Sequence, residues 1–259
     1  AIISVAGEDA TTFLSGLITN TVAGANDSFP RYAALLTPQG KVIADFLVFR
    51  SEDGFLFDCA QEVADDLIKR LSMFKLRSKV AVARRDDLCA IAFDGSADPR
   101  HPDAPARSIR PCDAAPPDVA PAAFHEVRIA CGLAEQGIDF GASEVFPADI
   151  NMDAIHGVDF KKGCFVGQEV VSRMKRRGTA RRRTMVLEFA EDAVVGPVMA
   201  DDFEIGAVTS AAGAHGLARL RVDRLAEAEA AGHAVTVEGA SCTALWPDWL
   251  EGVRKEGQA

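Results

Sequence analysis

The chain has 259 residues, enough to bury a sizeable core as one large domain or as two to three small ones. Nearly half the residues are apolar and a quarter charged, and no apolar run approaches the roughly 18 residues of a membrane-spanning helix, so the composition points to a soluble globular protein. A formal charge of −10 argues against nonspecific wrapping of DNA or other nucleic acid, because phosphate contacts rest on a positive surface.

In chain order, Ile2 to Ala6 reads as a strand rather than a signal peptide, and Glu8 and Asp9 open a helix carrying Ala10, Phe13, Leu14, Leu17 and Ile18 on one stripe. Two β-prone runs, 31–36 and 41–50, flank Thr37-Pro38-Gln39-Gly40, a hairpin turn. On the second strand the two-residue period puts Ile43, Asp45, Leu47 and Phe49 on one face, with Val42, Ala44, Phe46 and Val48 on the other. Asp45 therefore keeps apolar company. A carboxylate there is either a desolvated, functionally tuned acid or a wet group at a sheet edge, and the pattern leaves both readings open. Residues 55–59 form a further strand, 61–77 a helix with Val63, Leu67, Ile68, Leu71 and Phe74 on its core stripe, and 80–83 and 88–93 two more strands.

Composition changes at Asp94. Seven of the twelve prolines fall between Pro99 and Pro121, which predicts a mobile connection without packed elements, Cys112 and His101 being incidental to it. A helix follows over 122–131, closed by Gly132. Beyond residue 181, strands over 182–189, 204–210, 217–222, 234–237 and 242–246, with a helix over 224–231, describe a small antiparallel barrel, and Trp246 and Trp249 anchor the C-terminus. The six cysteines, at 59, 89, 112, 131, 164 and 242, show no CxxC and no Cys/His pairing; this is no zinc pattern and no small disulfide framework, and a reducing compartment and no resident metal are expected.

The densest chemistry lies in Lys161-Lys162-Gly163-Cys164-Phe165-Val166-Gly167-Gln168-Glu169. Glycines flank a thiol, and lysines and the start of a helix running through Arg173 and Met174 both favour its thiolate. A free cysteine is otherwise most often a small buried hydrophobe. From Lys161 to Arg183 stand nine cations against Glu169 alone, a segment suited to a polyanion if its members are not simply solvated.

This run resembles the signature of the YgfZ family, folate-binding relatives of the T-protein (aminomethyltransferase) of the glycine cleavage system: Lys162, Gly163, Cys164, Phe165, Gly167, Gln168, Glu169 and Arg173 match K-G-C-[YF]-x-G-Q-E-x-x-x-R. Matches at 5–20, 36–41 and 128–132 extend the resemblance over most of the chain. It implies an α+β, multi-domain T-protein-like arrangement of antiparallel sheets with helices around a central cleft, plus the C-terminal barrel. The expected units are 1–30 with 122–180 as a discontinuous folate-binding-like domain, 31–98 as a second α+β domain, 99–121 as a Pro/Ala-rich linker, and 181–259 as the barrel.

The resemblance further implies a tetrahydrofolate-binding accessory protein in iron-sulfur cluster assembly or repair, including clusters of tRNA-modifying enzymes. Cys164 is then the functional thiolate, with Lys162, Gly163, Gly167, Gln168, Glu169 and Arg173 placed at the cofactor. Partners implied are folate and iron-sulfur enzymes or assembly proteins, in a bacterial cytoplasm, or in a mitochondrial matrix where a targeting segment is missing; no membrane partner is expected. The alternative is a folate-dependent aminomethyl or methyl transferase using Asp45, which matches the second acid of the T-protein's Gly-Gly-x-x-Asp-Asp, with Ala44 at the first. Ala130 stands where the T-protein has a pterin-contacting acid, which argues against transfer, although Glu144, Asp149 or Asp153 could substitute. A third reading, tRNA binding by the basic segment 173–183, lacks interleaved aromatics.

Overall fold

A computed structural model describes residues 1–25, 29–114, 121–178 and 180–256. β1 (Ile2–Ala6), α1 (Ala10–Ser15), β2 (Arg31–Leu36), β3 (Val42–Ser51), β4 (Gly54–Cys59), α2 (Ala64–Phe74) and β5 (Ala81–Arg84) build an antiparallel sheet in the order β2-β3-β4-β1-β5. β1 lies between β4 and β5, so the first strand is part of the sheet built by residues 31–84. One face of this sheet packs Ile3, Val5, Phe46, Val48, Phe55 and Phe57 against Leu14 of α1 and Leu67 and Leu71 of α2. The other buries Ala34, Leu36, Val42, Leu47 and Phe49 against Ile129, Met152, Phe165 and Val171. Burial on both faces explains why β3 is an almost unbroken apolar run.

β2 and β3 pair through a register shift at Leu35/Leu36, with Leu36 opposite Val42 and Leu35 opposite Ala44. The extra residue reverses the alternation at the start of β3, so Val42 packs with Leu47 and Phe49, and Ile43 with Phe46 and Val48. Strict period-two reading had assigned those two residues to the opposite faces.

β6 (Leu88–Ser96) and β7 (Arg107–Pro111) form a separate two-stranded sheet, and Cys89 is disulfide-bonded to Cys112. The segment expected to be a connection without packed elements thus contains a strand, one end of a covalent link, and the buried residue Ala104; its residues 115–120 lie outside the described residues. Composition misled here because ordering comes from ion pairs and a crosslink rather than from apolar periodicity.

α3 (Pro121–Ala130) and α4 (Gln168–Arg177) bracket a largely irregular stretch, and the chain then enters a closed barrel. Its strands are β8 (Arg182–Phe189), β9 (Gly196–Ala200), β10 (Phe203–Ala212), β11 (His215–Arg221), β12 (Val235–Val237) and β13 (Ala240–Leu245), in the order β10-β11-β8-β13-β12-β9. α5 (Val222–Ala231) covers it with Val222, Leu225 and Ala228. α6 (Glu251–Glu256) follows, and Trp246 Nε1 donates to Glu229 at 2.9 Å, the expected C-terminal anchor. β9, short and carrying Pro197, was not foreseen from the sequence.

Candidate functional site: an exposed thiol and a small cavity

The signature loop sits on the β2–β3 turn. Gly167 has φ +79, and a Cβ there would lie 2.7 Å from Thr37 O and 3.0 Å from Gly40 Cα, so only glycine allows this approach. Gly163 is different: nothing stands within 4 Å of a Cβ added to it. One signature glycine is needed for packing, and the other leaves the thiol's surroundings open. Cys164 between them is exposed.

Lys162 does not reach out with the thiol. Its Nζ donates to Ile18 O at 2.8 Å and Asn20 O at 3.0 Å, tying the loop to the segment between α1 and β2, and its side chain lies over Phe165. Burial lowers its pKa to about 8, against the opposing charge of Asp159. Glu169 and Arg173 form an exposed pair at 2.8 Å on α4.

The basic segment divides. Arg183 and Lys175 both pair with Asp153, whose side chain is 5% exposed, and Arg183 also donates to Ala148 O at 2.9 Å. Arg176 and Arg177 stay exposed on the last turn of α4, where cations suit the helix dipole.

A second candidate lies under Asp45. The carboxylate is buried and accepts a hydrogen bond from Tyr32 OH at 2.7 Å. Burial pushes its pKa up, with the Tyr32 hydroxyl and Arg100 pulling the other way; burial and the charge of Asp45 raise Tyr32 as well. β4 ends at Cys59, opposite Phe46, so the next polar groups of β3 lose their strand partner. The Gln136 side chain replaces it, accepting from Asp45 N at 3.1 Å and donating to Ile43 O at 2.8 Å.

These groups line a cavity of about 100 Å³ together with Asp58, Cys59, Glu135, Arg100 and Arg107. Arg107 Nε and Glu135 Oε2 are buried without hydrogen-bond partners; Arg128 Nε lies 2.9 Å from the latter but donates instead to His125 Nδ1. The wall carrying Glu135 and Gln136 is fixed to the barrel. Arg128 is buried and bonds Asp139 at 2.7 Å, Leu133 O and Ser210, while Thr209 donates to Asp139 at 2.6 Å.

Sequence reasoning found Asp45 and missed Tyr32, Gln136, Arg100 and Arg107. The two arginines were hidden in a stretch whose composition reads as linker, and Tyr32 is the chain's one tyrosine, on a strand that reads as plain core. None of the residues lining the cavity comes from 161–173, so the exposed thiol and the buried acid are separate places joined through β3 and its turn. Ala130 is exposed at the end of α3; Glu144 pairs with Arg219, Asp149 accepts from Phe146 N, and Asp153 is engaged by Arg183, so all three acids have structural partners.

A carboxyl, a phenol, two guanidiniums and a glutamate suit the polar edge of a pterin, but the volume does not. Ligand pockets measure roughly 300–1,000 Å³. With Arg100 and Arg107 in place, the cavity of about 100 Å³ has room for waters and not for a folate.

This is a protein of the T-protein fold: the glycine cleavage system aminomethyltransferase T of Bartonella henselae superposes with a TM-score of 0.75 over 95% of this chain and 82% of that one, at 17% identity. Residues 181–252 match the family described as CAF17, C-terminal beta-barrel domain. The chain is similar to an iron-sulfur cluster assembly factor IBA57 homolog, mitochondrial, of Mycosarcoma maydis, with 32% identity over 222 residues, covering 73% of this chain and 55% of that protein. The Neurospora crassa homolog is 29% identical over 222 residues, covering 71% and 51%. The chain thus spans about half the length of the curated relatives it matches.

Proposed function

We propose that the chain is an iron-sulfur cluster assembly factor whose working group is the Cys164 thiolate. The observation that carries this reading is the exposure of that thiol on a loop pinned by Gly167 and open at Gly163, in a chain similar to named assembly factors. Among the described residues no group of three or more His, Cys, Asp or Glu could hold a metal ion. Cys164 would therefore supply one ligand to iron or one acceptor for sulfur, the remaining ligands coming from an iron-sulfur partner protein. The cluster is cargo. Both compartments considered from the sequence are reducing, and the mitochondrial matrix gains support from the names of the relatives.

In this reading the Asp45 cavity is the tetrahydrofolate site, reached when the residues roofing it move. Asp45 and Tyr32 would hold the polar edge of the pterin, and Arg107 offers a buried Nε without a hydrogen-bond partner. Transfer chemistry has no observation in its favour beyond Asp45, and tRNA binding is weakened because Lys175 and Arg183 are engaged with Asp153.

The test is a Cys164→Ala variant in cells lacking the protein, with folate titration of the purified chain. Rescue of iron-sulfur enzyme activity is expected to fall while folate binding persists. Full rescue would remove Cys164 from the mechanism.

A further inference from the structure

The last turn of α2 exposes what the rest of the helix hides. Ala64, Leu67 and Leu71 face the core, whereas Met73, Phe74 and Leu76 stand 69%, 44% and 89% exposed. A single exposed apolar side chain needs no explanation, but here, alone among the described residues, three large ones fall within four positions. Leu76 is also strained. It follows the C-cap Lys75 with φ +41, the left-handed position that glycine or asparagine ordinarily fills at a helix end. Its side chain stands in water, so packing does not offset that strain.

The turn is nonetheless firmly built. Ser78 N donates to Lys75 O at 2.7 Å, Lys79 N to Asp9 Oδ2 at 2.7 Å, and Lys79 Nζ to Glu8 at 2.8 Å, so the apolar tip is held outwards. Its charges follow a pattern too. Arg70 and Lys79 have acidic partners in Asp66 and Glu8, while Lys69, Lys75 and Arg77, among the described residues, pair with no acid. Three uncompensated cations thus flank the tip on a chain of net charge −10.

Apolar side chains projecting between free cations match the two layers of a lipid surface. The acyl boundary takes the apolar tips, and anionic headgroups take the lysines and the arginine, whose alkyl stems can lie along the boundary. We propose that residues 73–77 are a docking surface for an anionic membrane, with Phe74 and Leu76 entering the headgroup boundary and Lys75 and Arg77 on the phosphates. No helix among the described residues is long and apolar enough to cross a membrane, and resting on one requires none. α2 packs on one face of the five-stranded sheet, and Phe165 and Val171 of the signature segment pack on the other. A chain seated by this turn therefore keeps the sheet between the lipid and the signature segment, and the Cys164 thiol stays free for a protein partner.

Flotation of the full chain on a density gradient would compare vesicles of phosphatidylcholine alone with vesicles of phosphatidylcholine and phosphatidylglycerol in equal parts, at low and high salt. The expected result is binding to the mixed vesicles only, weakened by salt. Phe74→Ser/Leu76→Ser is expected to bind about tenfold less tightly or weaker still. Lys75→Gln/Arg77→Gln is expected to lose about fivefold for each charge removed. Arg176→Gln/Arg177→Gln, which removes exposed cations of α4, is expected to float as the wild type does. Leu76→Gly separates docking from folding: with the left-handed strain relieved, its unfolding midpoint is expected to be no lower, while its vesicle binding drops about tenfold. No flotation of the wild type, equal binding to both compositions, or undiminished binding by Phe74→Ser/Leu76→Ser would overturn the proposal. So would a loss confined to Arg176→Gln/Arg177→Gln, which seats the lipid on α4, or a dimer in solution that Leu76→Ser dissociates without any flotation, which gives the patch to a second copy of the chain.

Discussion

The two candidate sites differ in how the fold treats them. Around Cys164 the chain commits backbone: Gly167 is wedged against the hairpin turn, Lys162 is fastened to two carbonyls, and the thiol is left uncovered. Around Asp45 it commits side chains: Tyr32, Gln136, Arg100 and Arg107 enclose an acid that burial makes harder to ionise. A loop held by its backbone can offer a reactive atom to another protein without rearrangement. A cavity enclosed by side chains needs some of them to move before anything enters.

That contrast can be broken most severely at the cavity wall. Arg128→Met would leave Asp139, whose side chain is 3% exposed, as an uncompensated buried charge. The expected cost is about 3–5 kcal/mol of stability, read from denaturant unfolding. In the folded fraction, labelling of Cys164 is expected to be unchanged, because its supports lie on the β2–β3 turn and the segment after α1.

The two signature glycines test the thiol side. Gly167→Ala forces a Cβ into the left-handed region and against Thr37 O, and is expected to cost about 1–2 kcal/mol from the backbone alone, with more from the contact. Gly163→Ala meets no neighbour and is expected to stay within about 0.5 kcal/mol. Equal losses in thermal unfolding would show that the loop is not pinned at one end.

The effect at Asp45 has a sign that depends on pH. A carboxyl whose folded-state pKa is raised takes up protons more readily folded than unfolded, so its contribution to stability is lost as pH rises from the ordinary carboxylate range through the raised value. Asp45→Asn, which can still accept from Tyr32 OH, is expected to raise the melting temperature at pH 7, by about 2–4 °C for each kcal/mol recovered, and to lose that gain in acid. A gain that grew towards low pH would mean that Asp45 is held ionised. The same variant is expected to weaken folate binding, the usual opposition of function and stability at a buried acid.

Much of this was legible in the residues. The barrel strand 182–189 was read with its observed bounds, and alternation and turn chemistry located most other strands, because their apolar periods reflect one-sided burial. The signature marked the thiol loop, and Asp45 stood out as an acid among apolar residues. The bulge that exchanges Val42 and Ile43 was not legible, since one extra residue in a pairing leaves no compositional trace. Neither was the β6–β7 hairpin. Its order comes from Arg100 and Arg107 reaching Tyr32 and Asp58, distant in sequence, and from a crosslink between Cys89 and Cys112, and cysteine spacing alone does not announce a single bond. Gln136 standing in for a missing strand is likewise a purely tertiary device.

The most direct test of the central claim uses the exposure of Cys164 itself. Brief alkylation of the native chain should modify Cys164 ahead of Cys59, Cys131 and Cys242, all at least partly covered. The product would then be added to an extract lacking the protein, with recovery of an iron-sulfur enzyme as the readout. The account predicts no recovery with the singly alkylated chain and recovery with the untreated one; equal recovery from both would contradict it.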